Sequence, residues 1–88
     1  MLSWREIEST LDIADNGFVN RLRNQFPNFT EEDFRLCMLT RLKLTNAAHS
    51  AIYLISVSAV QHRKQKLKKE GFGVTAPSVT FDQMIAAY

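Results

Sequence analysis

Eighty-eight residues leave room for one small domain, and a chain that is 45% hydrophobic and 23% charged is an ordinary globular composition rather than a disordered one. A single cysteine, Cys37, excludes an internal disulfide and gives no sign of an oxidising compartment. The net charge of +2 says little, but five of the eleven Lys/Arg fall between residues 61 and 69 with no acid among them.

In chain order, Ser3 is a helix cap, with Glu6 at the answering position of a capping box and Leu2 and Ile7 placed as a hydrophobic staple. Trp4, Ile7 and Leu11 share one face of this first helix, which runs to about Ala14, and Asp15-Asn16-Gly17 reads as a turn. The second helix covers about residues 17–26, with Phe18, Val19, Leu22 and Phe26 as its apolar side, and Pro27 stops it. Thr30 caps the third helix and is answered by Asp33. Glu31, Glu32 and Asp33 fill its first turn, where the helix dipole favours acids, so they are not read as catalytic carboxylates. Its buried stripe is Phe34, Cys37, Met38 and Leu42, which makes Cys37 a core thiol.

After a break at Leu44-Thr45, a short alanine-rich helix covers about residues 46–54. Ile55-Ser56 forms a turn, and Ser56 or Ser58 caps a fifth helix that carries Val60, Leu67 and the five cations. Gly71-Phe72-Gly73 ends it, and a connector with Pro77 follows. Thr80, answered by Gln83, caps a last helix whose apolar face is Phe81, Met84, Ile85 and Tyr88. No strand is expected.

A scaffold helix, a short small-sided helix, a tight turn and a basic helix are the parts of a helix-turn-helix, here over residues 30–70. Ala47, Ala48, Ser50 and Ala51 allow a close helix crossing. On the fifth helix Ala59, Val60 and Leu67 face inward, while Gln61, His62, Lys64, Gln65 and Lys68 point away. Five cations on one helix are the electrostatic footprint of a phosphate binder.

Three segments carry a family resemblance. Phe26-Pro27-Asn28-Phe29-Thr30, continuing to Cys37, resembles the opening of a LuxR-type (GerE-like) output domain. Leu44-Thr45-Asn46 is similar to the start of that family's second helix. Ile55-Ser56-Val57-Ser58-Ala59-Val60 is similar to its turn and recognition-helix start. The chain departs from the family at Ala48, His49, Glu70 and Gly71, where His49 takes the place of a core aliphatic and Phe72 stands one position late for an apolar contact. The variant it most resembles ends sensor or tetratricopeptide-repeat regulators, so the chain is expected to be the last domain of a longer protein.

The fold expected is all-α: a LuxR/GerE-like helix-turn-helix bundle over residues 27–88, preceded by a helical extension over residues 1–26. The function expected is sequence-specific binding of double-stranded DNA by a transcriptional regulator, with the helix over residues 56–69 in the major groove. The resemblance implies base contacts from Ser58, Gln61, His62 and Gln65, and phosphate contacts from Ser56, Arg63, Lys64, Lys68 and Lys69. It also implies a homodimer through Phe81, Met84, Ile85 and Tyr88. No enzyme activity, cofactor, metal or small-molecule substrate is expected, since neither His49 nor His62 has a partner at ligand spacing. No apolar run approaches the roughly 18 residues of a membrane span, and no signal peptide precedes the first helix, so the expected location is cytoplasmic. The alternative is a helical protein-interaction module that keeps the fold without binding DNA.

Overall fold

The computed structural model describes residues 3–88. They form six α-helices: α1 (Trp4–Ala14), α2 (Phe18–Gln25), α3 (Glu31–Arg41), α4 (Asn46–Tyr53), α5 (Val57–Lys66) and α6 (Phe81–Ala87). A π-helical turn, Leu67–Gly71, continues α5, and there is no strand among the described residues. None of these helices is long and apolar enough to cross a membrane.

The chain divides into two compact units, Met1–Met38 and Leu39–Tyr88. The division falls inside α3. Local contacts explain why residues 27–38 stay with what precedes them. Phe26 stacks on Phe29 at 4.7 Å, and Phe29 meets Phe34 at 5.7 Å. The Arg23 guanidinium donates to both oxygens of Glu8 (2.7 and 3.1 Å) and both of Glu31 (2.7 and 2.9 Å), and lies 4.5 Å from the Phe34 ring centroid. The hydrogen bonds from Arg23 hold the Glu31 carboxyl below its ordinary range, and the two carboxylates hold the guanidinium above its own.

In the first unit the Ser3 hydroxyl accepts from the Glu6 amide at 3.2 Å and starts α1. The proposed staple involves Leu2, which lies outside the described residues. Gly17, at φ 71°, has no side chain to cap α2. Asp12 does it from α1, its Oδ1 accepting from the amides of Val19 (2.8 Å) and Asn20 (3.1 Å). Leu11, Phe18, Val19, Leu22, Phe34, Leu36, Cys37 and Met38 are the buried apolar residues of this unit. Burial, with Asp33 adding to it, pushes the Cys37 thiol far above its ordinary range, so it is neutral and unreactive. Thr30 and Asp33 form the expected reciprocal cap, at 2.9 and 3.2 Å.

In the second unit α3 ends with Lys43 in the left-handed region at φ 63°. Leu42, assigned to the buried stripe, is 46% exposed, and Leu39 takes its place in the core. The Thr45 hydroxyl caps α4 by accepting from the Ala48 amide at 3.1 Å. Buried Leu39, His49, Val60, Leu67, Phe81 and Ile85 make up the core of this unit with the stem of Lys64. Phe72 packs edge-on against Phe81 at 6.2 Å. The Arg41 guanidinium donates to the carbonyls of Ile85 (2.6 Å) and Ala86 (3.0 Å), satisfying two oxygens that the end of α6 leaves open.

Candidate nucleic-acid interface

The turn between α4 and α5 is short because three interactions close it. Leu54 takes the left-handed conformation at φ 55°. The Ile55 amide donates back to the Ser50 carbonyl at 3.2 Å, and the Ser50 hydroxyl donates to the Ile55 carbonyl. Ser56 then caps α5, its hydroxyl accepting from the Ala59 amide at 3.1 Å. Of the small residues of α4, Ala48 and Ser50 are partly buried, whereas Ala47 and Ala51 are exposed.

The four residues assigned to base contacts, Ser58, Gln61, His62 and Gln65, are all exposed. Their spacing of three and four places them on one face of α5. His62, Gln65, Lys66, Lys69 and Glu70 line a groove on that side.

The five residues assigned to phosphate contacts do not behave alike. Ser56 is exposed, although its hydroxyl oxygen is engaged as the cap. Arg63 is exposed, with its guanidinium 5.5 Å from the Tyr53 ring centroid. Lys69 is exposed. Lys64 and Lys68 are a correction: they are 5% and 2% exposed. The Lys64 ammonium donates to Asn46 Oδ1 at 2.7 Å and pairs with Asp82 Oδ1 at 2.8 Å. The Lys68 ammonium donates to the Ala76 carbonyl at 2.8 Å. These two lysines face inward because each sits four residues from the previous member of a row that begins at buried Val60. They fasten α5 to α4, to α6 and to the connector between the last two helices. Lys66, which was not assigned a contact, is exposed and completes a set of three outward cations with Arg63 and Lys69.

The assigned dimer face needs a second correction. Phe81 and Ile85 are 3% and 0% exposed within the single chain, so the stripe they form is core. Only Met84 and Tyr88 of that set keep partial exposure.

His49 is fully buried, and neither ring nitrogen makes a hydrogen bond of good geometry. Desolvation lowers its pKa below 6.5 and the Lys64 charge lowers it further, with Asp82 and the Leu44 carbonyl opposing more weakly. The ring is therefore neutral near pH 7 and serves as a core residue. Among the described residues no three His, Cys, Asp or Glu side chains cluster as metal ligands. What α5 offers is a face of hydrogen-bonding side chains flanked by positive charge. Comparison with protein-family models, with curated proteins and with solved structures found no match.

Proposed function

We propose that the chain binds duplex DNA through α5, as the output domain of a transcriptional regulator of the LuxR (GerE-like) kind. The observation that carries this reading is the exposed α5 face. Ser58, Gln61, His62 and Gln65 share it, Arg63, Lys66 and Lys69 flank it, and no acid interrupts the chain from Leu44 to Lys69. On this reading α5 lies in the major groove. Gln61 and Gln65 are matched to adenine edges, which present an acceptor and a donor to an amide side chain. The three outward cations neutralise phosphates. Ser56 and the first amides of α5 stand where a phosphate meets a helix N-terminus. A module of this size binds weakly alone, so two copies on adjacent half-sites are part of the proposal. With Phe81 and Ile85 in the core, pairing by α6 rests on Met84 and Tyr88.

A fluorescent random duplex, titrated with the chain and followed by anisotropy, tests the reading. Binding that falls at least tenfold in the Lys66→Ala/Lys69→Ala variant, with helicity unchanged, supports it. Undiminished binding by that variant contradicts it. A second reading, a protein-interaction module, draws on the withdrawal of Lys64 and Lys68 from the surface. It is favoured if the chain binds no duplex at any salt concentration.

A further inference from the structure

Two valines lie three residues apart on α5 and differ in exposure. Val60 is 1% exposed and belongs to the core, whereas Val57, the first helical residue, is 41% exposed. A β-branched residue is a poor choice for an open helix position. An acid is the usual choice in a first turn, because the helix dipole favours negative charge there. The first turns of α1, α3 and α6 follow that rule with Glu6, with Glu31, Glu32 and Asp33, and with Asp82. The first turns of α2, α4 and α5 have no acid, and of these only α5 carries outward cations along its length. An acid at this position would repel a polyanion docked on the same face, and an apolar side chain would not.

Resting on the DNA-binding reading above, we propose that Val57 reads the C5-methyl group of a thymine, making α5 selective for an A·T step. Val57 lies one turn before Gln61, about 6 Å along the helix axis. The first residues of a recognition helix are those that reach base edges. In the major groove the thymine methyl is the one apolar mark, and the adenine beside it or paired with it presents N6 and N7 to an amide. Val57 and Gln61 together therefore match a thymine methyl and an adenine edge. The adjoining charge fits the same occupant, since Arg63, Lys66 and Lys69 face outward on this helix and residues 44–69 include no acid.

The test uses the full chain. Duplexes are selected from a randomised pool, and each thymine of an enriched duplex is replaced in turn by deoxyuridine. That base keeps the pairing and O4 and lacks only the methyl. At one position the replacement weakens binding about fourfold, the effect of one buried methyl group. Val57→Ala is silent to the replacement at that position, and Val57→Thr, which keeps one methyl, responds part-way. Because Val57 is exposed, both variants keep the helicity and salt dependence of the parent. The proposal is overturned if no thymine position responds, or if Val57→Ala keeps the full response. It is also overturned if salt-dependent binding persists with no sequence enriched, an outcome that leaves the phosphate contacts standing. Absence of any duplex binding overturns the DNA-binding reading with it. An apolar surface serving a protein partner would leave duplex affinity the same for Val57 and Val57→Ala.

Discussion

Lys64→Met separates an anchoring lysine from a DNA-contacting one. The substitution keeps the apolar stem and removes an ammonium that bonds Asn46 at 2.7 Å and Asp82 at 2.8 Å. The Asp82 side chain is 60% exposed, so water rehydrates it when its partner is lost and the ion pair itself contributes less than about 1 kcal/mol. The larger loss is the charge-assisted bond to half-buried Asn46, worth about 1.5–3 kcal/mol. Some of that is offset because a buried charge no longer has to be desolvated. A net loss of about 2 kcal/mol follows, which lowers Tm by about 10 °C for a domain of this size. Lys64→Ala also removes three buried methylenes, for a total loss of about 4 kcal/mol. Thermal unfolding followed by circular dichroism at 222 nm reads both variants. Below its midpoint Lys64→Met keeps the parent's salt dependence for duplex binding, whereas Lys66→Ala reduces the slope by about 0.9. An unchanged Tm together with a reduced slope for Lys64→Met would refute the anchoring role and put the ammonium on the phosphates.

Three further outcomes follow from the same packing. Leu54 is 90% exposed at φ 55°, so Leu54→Gly relieves left-handed strain with almost no apolar burial lost, and stability by urea titration rises by about 1 kcal/mol. His49 has a folded-state pKa below its unfolded value of 6.5, so only the unfolded chain gains a proton as pH falls through that value. Stability is therefore highest above pH 6.5 and declines below it by up to about 1.4 kcal/mol per unit, until the folded-state pKa is reached. His49→Leu removes that decline, and a pH profile of urea midpoints that matches between the two proteins would refute the assignment. Ile85→Ala costs about 2–5 kcal/mol as a core truncation, while half-exposed Met84→Ala costs less than half as much; equal losses would return Ile85 to an interface.

Helix positions were legible because their punctuation is local. Ser3, Thr30, Ser56 and Thr80 each cap a helix through a bond spanning three residues, which a reader of the chain can count. The second helix was placed, but its cap was not, since Asp12 reaches it from the preceding helix. The exposed polar face of α5 follows from spacing alone. Which lysines it displays does not. Lysine stems bury readily, and the groups that receive Lys64 and Lys68 lie at positions 46, 82 and 76, well separated in sequence. The row Val60, Lys64, Lys68 shares one helical edge, yet five cations in nine residues read equally well as a single charged face. Phe81 and Ile85 posed the same problem in reverse. An apolar stripe is written identically whether it packs inside its own domain or against a second copy.

The salt dependence of duplex binding tests the central claim most directly. With Arg63, Lys66 and Lys69 as the outward cations of α5, log K against log salt between about 50 and 200 mM falls with a slope of about −2.7. Replacing all three by alanine brings the slope close to zero. A steep slope that survives the triple replacement, or no binding at about 50 mM salt, contradicts the assignment of α5 as the DNA-contacting helix.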